Sequence, residues 1–136
     1  MNRRSAIQAA SVAAVAAAGA LKAGEYTEAK NEAVKLEGGW QYKELEYEKH
    51  IPEVTVSREE DVAVIDVMLK HPQTAEHHIS TFKIYDENRI EISEFNLHPE
   101  ISQLHATFYL RIPEGTGLIA TSDCNIHGIW MKKFEV

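Results

Sequence analysis

The sequence predicts an all-β domain, an immunoglobulin-like antiparallel β-sandwich or small barrel of about seven strands, preceded by a helical signal peptide. Three observations predict this fold class. Short runs rich in β-branched residues recur at roughly ten-residue spacing, turn residues separate most of them, and no segment after the leader shows a sustained helical period. With 136 residues and 44% hydrophobic content, the chain can bury the core of one domain.

The first 23 residues are typical of a twin-arginine export signal. Arg3 and Arg4 precede an alanine-rich apolar run without acidic residues, and small-residue cleavage sites follow at Ala20 and Ala23. The run is too weakly apolar to favour a membrane anchor, and the alternative is an uncleaved helical tail. We therefore expect a periplasmic protein without stable membrane insertion, or a cytoplasmic one if the leader is not functional.

Charge and composition divide the rest of the chain into a linker and a domain. Residues 24–39 are polar, mixed in charge and end in two glycines, which predicts a linker with room for a helical turn, and the domain spans residues 40–136. Cleavage after Ala23 removes three basic residues and no acidic ones, so the net charge falls from −7 to −10. Such acidity argues against nucleic acid as a partner.

Seven segments of the domain have the composition and alternation of strands. Residues 62–69 are rich in β-branched side chains, and residues 89–93 alternate strictly between polar and apolar. The predicted strands are residues 54–57, 62–70, 79–85, 89–95, 105–112, 117–122 and 129–136.

The chemistry concentrates around Cys124, the single cysteine, and His127, on a short loop between the last two predicted strands. A thiolate beside an imidazole suits iron, copper or zinc better than calcium or magnesium. His50, His71 and His77 add three imidazoles, of which the last two lie at the ends of one loop. Five such donors exceed a tetrahedral zinc site and leave one position open on an octahedral iron.

The remaining histidines are interpreted as surface or hydrogen-bonded residues. His77 and His78 are neighbours that point in opposite directions on an extended backbone, so we expect one of the two to be a ligand. His78, His98 and His105 are assigned to the surface.

Three motifs resemble the iron centre of the superoxide reductases, the neelaredoxin and desulfoferrodoxin family. They are Glu48-Lys49-His50-Ile51-Pro52, His71-Pro72 followed by His77, and Cys124-Asn125-Ile126-His127-Gly128-Ile129-Trp130. The motifs occur in the family's order, and the resemblance covers roughly residues 40–136. It implies an immunoglobulin-like β-barrel, in agreement with the strand pattern.

The resemblance also implies an activity and a role for each motif residue. One mononuclear non-haem iron would be held by four imidazoles, of His50, His71, His77 and His127, and by the Cys124 thiolate. Superoxide would be reduced by one electron to hydrogen peroxide, without release of dioxygen. Glu48 matches the acid that ligates the oxidised iron, and Lys49 matches the cation beside it.

The expected partners follow from the same resemblance. They are superoxide as substrate, an electron donor such as a rubredoxin-like or cytochrome-like protein, and further copies of the chain in a homo-oligomer such as a tetramer. Larger members carry a four-cysteine iron domain, but no cysteine precedes Cys124 in this sequence, so we expect it to hold one iron. Residues 73–76 are unlike the more usual Met-rich, basic loop, which alters the charge expected near the open position.

Two other functions compete with this interpretation. A blue-copper electron-transfer protein would use Cys124, His127, Met131 and an upstream histidine such as His77, but it leaves His50 and His71 unexplained. A metal-free β-sandwich binding module is the third hypothesis.

Overall fold

The computed structural model describes residues 26–32 and 49–136. The predicted leader, most of the predicted linker and Glu48 lie outside these residues. Within the described ranges, no helix is long and apolar enough to span a membrane.

The described domain is an all-β sandwich of two antiparallel sheets, which confirms the predicted fold class. A three-stranded sheet has the order β1-β2-β5, and a four-stranded sheet has the order β4-β3-β6-β7. The strands are β1 Glu53–Glu59, β2 Val62–Met68, β3 Ile79–Asp86, β4 Glu91–Asn96, β5 His105–Arg111, β6 Gly117–Cys124 and β7 Gly128–Glu135. Each begins and ends within two residues of a predicted strand.

The alternation of apolar residues places the core between the sheets. On β2, Ala63, Ile65 and Val67 are fully buried, whereas the residues between them are partly exposed on the other face. Phe82 and Ile84 of β3 face them from the second sheet within the same core cluster. Burial of each large aliphatic or aromatic side chain contributes about 1.5–3 kcal/mol, so this interdigitated layer is the main stabilising element.

Residues 26–32 cover the outer face of the four-stranded sheet. Ala29 is fully buried in a second cluster with Tyr85, Ile119 and Met131, and Tyr26 packs against the cluster. The Asn31 side chain donates to the carbonyl of Met131 at 2.8 Å and accepts from its amide at 3.0 Å. A short helical turn at residues 30–32 lies in the segment that was predicted to be a linker.

Strand register brings several chain segments to one end of the sandwich. Glu53 at the start of β1 is paired with Met68 at the end of β2, and Ile79 at the start of β3 is paired with Cys124 at the end of β6. The residues before β1, the loop of residues 69–78 between β2 and β3, and the β6–β7 hairpin therefore meet at this end. These three segments contain the predicted metal ligands.

Candidate metal centre

Five predicted donors converge at this end of the sandwich. The donor atoms of His50, His71, His77 and Cys124 all lie within 4.8 Å of one another. His127 joins them through Nδ1, which lies 3.2 Å from His50 Nε2 and 3.6 Å from Cys124 Sγ. The structure thus brings together one residue preceding β1, two residues of the β2–β3 loop and two residues at the β6–β7 hairpin.

The four imidazoles form a closed cycle of edge-to-face neighbours. The ring centroids are 4.7 Å apart for His50 and His71, 4.5 Å for His71 and His77, 5.0 Å for His77 and His127, and 4.9 Å for His127 and His50. Across the cycle, the His50 and His77 centroids are 6.2 Å apart. The rings therefore surround a common centre rather than stacking into a layer.

The spacing of the donor atoms fits a metal ion. The Nε2 atoms of His50 and His71 are 3.2 Å apart. Two nitrogens that bind one metal at about 2.1 Å and at right angles would lie about 3 Å apart, close to this value. The Cys124 sulfur lies 3.8 Å from His71 Nε2, beside the same cluster. Four nitrogens and one sulfur around one point match the donor preference of iron better than that of closed zinc sites.

The surroundings of His77 Nε2 test whether the cluster is suited to a metal ion. Its Nε2 is buried and has no hydrogen-bond partner among the described residues. A buried polar atom without a partner costs about 1–3 kcal/mol, and ligation of a metal by this nitrogen would remove that cost. The orphaned nitrogen therefore favours metal binding over a purely structural histidine cluster.

Hydrogen bonds around the cluster orient the donors. The His71 Nδ1 hydrogen is donated to the Pro72 carbonyl at 2.7 Å, which leaves the Nε2 lone pair free to face the cluster. The amide of His127 donates to Cys124 Sγ at 3.3 Å, which stabilises negative charge on the sulfur. The first bond selects the tautomer of the neutral His71 ring that can bind a metal through Nε2, and the second holds the sulfur in place.

Two fully buried side chains hold the cluster against the four-stranded sheet. Trp130 stacks on the His50 ring with centroids 5.4 Å apart, and its indole N–H donates to the His127 carbonyl at 3.1 Å. Ser122 donates its hydroxyl hydrogen to the His50 carbonyl. His50, which precedes β1, is therefore tied to β6 and β7 of the opposite sheet.

Burial makes two of the imidazoles poor bases. The pKa of His71 is lowered to about 4, chiefly by burial, with further lowering by the neighbouring imidazoles against the opposing effect of the Pro72 carbonyl. The pKa of His77 is lowered by burial and then by His127 and His78. Both rings are therefore neutral near pH 7, the form that binds metals.

A cationic cavity of about 600 Å³ is lined by the chain neighbours of His50 and His71. It is lined by Lys49, Lys70 and Lys132, by one acid, Glu53, and by the apolar residues Ile51, Pro52 and Val54. Within the described residues, none of the three lysines forms an ion pair. Lys49 is exposed beside His50, so positive charge gathers at this end of an acidic chain.

The histidines that were assigned to the surface lie outside the cluster, as predicted. His78 Nδ1 pairs with the Thr74 carbonyl at 3.0 Å, and His98 Nδ1 accepts from the Glu100 amide at 3.2 Å. His105 lies 3.6 Å from an Asp66 oxygen on the outer face of the three-stranded sheet.

The blue-copper hypothesis is not favoured, because Met131 does not face the cluster. Its sulfur accepts a hydrogen bond from the Tyr26 hydroxyl at 3.1 Å, and its side chain packs with Tyr85 and Ile119 on the outer face of the sheet. The alternation of β7 puts Trp130 on the cluster side and Met131 on the other. His50 and His71, which that hypothesis leaves without a role, are members of the cluster.

Three polar residues of the ligand loops were not assigned a role from the sequence. Gln73, Thr74 and Asn125 form side-chain hydrogen bonds to the backbone that carries His77 and Ile79. The only signal in the sequence is their position between or beside ligands, together with the tendency of such side chains to bond to nearby backbone in loops.

Comparisons with known proteins agree with this geometry. The family profile described as Desulfoferrodoxin matches residues 42–133. A superoxide reductase of Pyrococcus horikoshii is 31% identical over 101 residues, covering 65% of this chain and 88% of that protein. A neelaredoxin of Megalodesulfovibrio gigas is 30% identical over 110 residues, covering 61% and 82%. The solved structure of a superoxide reductase from Nanoarchaeum equitans has a TM-score of 0.58 at 27% identity, covering 65% of this chain and 93% of that one.

Proposed function

The chain belongs to the desulfoferrodoxin family, and from that premise and the geometry of the five donors we infer that it is a superoxide reductase. It reduces superoxide by one electron to hydrogen peroxide, with uptake of two protons, at a mononuclear non-haem iron. The observation that carries this function is the convergence of four imidazoles and one thiolate at one end of the sandwich.

We assign His50, His71, His77, His127 and Cys124 as the iron ligands. Bound iron would supply a one-electron couple between its ferrous and ferric states. The four imidazoles are neutral donors, so the thiolate is the single negative charge that these ligands contribute. The His127 amide, 3.3 Å from the sulfur, moderates that charge and holds the sulfur in place.

Lys49 is our candidate for attracting superoxide. An anion approaching a chain of net charge −7 is repelled at long range, so a local cation has to offset the repulsion. Lys49 lies on the rim of the cationic cavity, next in sequence to His50, and Lys70 and Lys132 add to the same local potential.

Replacement of Lys49 tests this role. We expect Lys49→Ala to slow the second-order reaction with superoxide by about tenfold, with a difference that shrinks as salt is added. Lys83→Ala is the matched control, because Lys83 is paired with Glu91 on another face. Equal rates for Lys49→Ala and the parent protein would contradict the assignment.

We assign Glu48 to capping the oxidised iron after product leaves. Its support is its place two residues before His50 in the motif shared with the family. Glu48→Ala should change the ferric visible spectrum and leave the encounter-limited reaction of the ferrous protein unchanged. A ferric spectrum identical to that of the parent protein would exclude this role.

We further propose an exported protein that receives electrons from a rubredoxin-like or cytochrome-like donor and associates into a homo-oligomer such as a tetramer. The paired Arg3 and Arg4 and the alanine-rich run support export, and the cationic cavity supports docking of an acidic donor. Cell fractionation of the full chain and of an Arg3→Lys, Arg4→Lys double variant tests export. Light scattering of the purified protein tests the oligomer.

The stoichiometry of the reaction tests the function itself. Iron-loaded protein is mixed with superoxide and a small reductant, and hydrogen peroxide and dioxygen are both measured. A reductase gives one peroxide for each superoxide and no dioxygen. Half that yield of peroxide, with dioxygen evolved, would identify a dismutase and overturn the proposal.

A further inference from the structure

Asn125 connects the two loops that supply four of the five donors. It lies in the β6–β7 hairpin between Cys124 and His127. Its side-chain oxygen accepts from the His78 amide at 2.8 Å, and its side-chain nitrogen donates to the Glu76 carbonyl at 2.9 Å. Its own amide donates to the His78 carbonyl at 3.1 Å. The three bonds therefore fall on either side of His77.

The peptide groups of His77 itself are held by Thr74. The Thr74 hydroxyl accepts from the His77 amide at 3.0 Å, and the Thr74 amide donates to the His77 carbonyl at 3.0 Å. Thr74 belongs to the same loop, so these bonds fix its local shape but not its distance from the hairpin. That distance depends on Asn125.

Among the described residues, no hydrogen bond fixes the buried Nε2 of the His77 ring. The position of the ring therefore depends on its backbone and on its edge-to-face contacts with His71 and His127. Because the backbone on both sides is bonded to Asn125, a shift of that residue would move the ring relative to Cys124.

We propose that Asn125 is a positioning residue that sets the distance between the His77 imidazole and the Cys124 thiolate. The proposal rests on the metal centre of the proposed function but not on the substrate. The side-chain amide suits this role because it offers a donor and an acceptor at once, one for each side of His77.

The test uses Co²⁺ as the probe, because its visible spectrum reports the number and type of ligands. Metal-free parent protein and Asn125→Ala, Asn125→Asp and His77→Ala variants are titrated with Co²⁺ without dioxygen. Asn88→Ala is the matched control, since within the described residues Asn88 uses only its backbone amide, bonded to Asp86. Urea unfolding of each metal-free protein reports any general loss of stability.

We expect Asn125→Ala to weaken Co²⁺ binding by about tenfold to a hundredfold, and its spectrum to move toward that of His77→Ala. Asn125→Asp keeps the acceptor for the His78 amide and loses the donor to Glu76, so its loss should be intermediate. The thiolate-to-metal band should persist in both. Asn88→Ala should bind as the parent does.

An Asn125→Ala protein with the parent's affinity and spectrum would overturn the proposal. So would a protein that is less stable in urea but has an unchanged Co²⁺ spectrum, since that result describes a purely structural residue. If the alanine variant does not fold, the aspartate variant provides the same comparison. Failure of the parent to reduce superoxide while it binds Co²⁺ normally would refute the proposed function and leave this inference intact.

Discussion

The two loops that carry the proposed metal ligands are built in different ways. The β6–β7 hairpin places Cys124 and His127 through sheet register, because Cys124 is paired with Gly128 across the hairpin and with Ile79 of β3. The β2–β3 loop, residues 69–78, has no regular structure and is held by side chains such as Gln73 and Thr74. The positions of Cys124 and His127 therefore depend on strand pairing, whereas the positions of His71 and His77 depend on a few polar side chains.

The largest effect is expected at the hairpin, from Cys124→Ser. A serine hydroxyl is not deprotonated near pH 7, so the soft anionic donor is lost while the side-chain size is nearly kept. We expect the thiolate-to-iron absorption band to disappear and the rate of superoxide reduction to fall by about a hundredfold or more. Metal analysis and the visible spectrum of the oxidised protein measure the loss. Retention of the band would show that the sulfur is not a ligand.

Gln73→Ala removes side-chain hydrogen bonds that hold the loop. The Gln73 side chain accepts from the Ile79 amide at 2.6 Å and donates to the Ile79 carbonyl at 3.2 Å, and Ile79 is fully buried. Removing it leaves a buried peptide group without these partners, so we expect a loss of about 1–3 kcal/mol in the free energy of unfolding. Urea unfolding of the metal-free protein measures it.

Gln103→Ala is the matched control for that experiment. Gln103 is exposed and contributes its backbone carbonyl, not its side chain, to a hydrogen bond with the His105 amide. We expect this variant to unfold like the parent. If Gln73→Ala and Gln103→Ala lowered the free energy of unfolding equally, the hydrogen bonds of the Gln73 side chain would not be what stabilises the loop.

Gly128→Ala tests the backbone of the hairpin. Gly128 has a φ of 84°, and an added Cβ would lie 2.8 Å from Cε of Lys30, the end of a flexible side chain that can move away. The left-handed backbone costs about 1–2 kcal/mol for a residue with a Cβ, so we expect Gly128→Ala to lower the free energy of unfolding by that amount.

Gly115→Ala is the control for the contact with Lys30, because it measures the free-energy cost of a left-handed backbone at a site without such a contact. Gly115 has a φ of 89° and nothing within 4 Å of an added Cβ, so it carries the backbone cost alone. We expect Gly128→Ala to be at least as destabilising in urea as Gly115→Ala, and to weaken iron binding where Gly115→Ala does not. The opposite order would show that the hairpin is not constrained by its glycine.

A pH dependence of the free energy of unfolding is also expected from the loop. The pKa of His71 is about 4 in the folded protein, below its ordinary value of 6.5. Between these values the unfolded chain binds a proton that the folded chain does not, so the free energy of unfolding of the metal-free protein falls as pH drops from about 6.5 to 4. Urea midpoints across this range measure the slope.

A His71→Gln variant isolates that contribution from other titrating groups. Burial raises the pKa of Asp123, so this group makes the free energy of unfolding rise as pH drops over the lower part of the range. Asp123 is present in both proteins. We expect a shallower slope for His71→Gln. Parallel curves for the two proteins would show that His71 does not take part.

The strands were predictable because local pattern determines them, and alternation along β2 identifies its buried face. The clustering of His50, His71, His77, Cys124 and His127 was predictable because three motifs of the sequence resemble the iron centre of the family. The packing of residues 26–32 onto the outer sheet face was not predictable, since Ala29 and Tyr26 find their apolar partners only after the sheet has formed. The role of Met131 was mistaken in the copper hypothesis for the same reason, because its partner Tyr26 is distant in sequence.

The burial of Cys124 has a consequence for the lifetime of the enzyme. Hydrogen peroxide, the product of the inferred reaction, oxidises exposed thiolates to sulfenic and sulfinic acids. Cys124 is 2% exposed, and its sulfur lies against His71, His127 and the hairpin backbone. Peroxide in the solvent therefore has little access to the sulfur. The hairpin that places the thiolate thus also protects it from inactivation by the enzyme's own product.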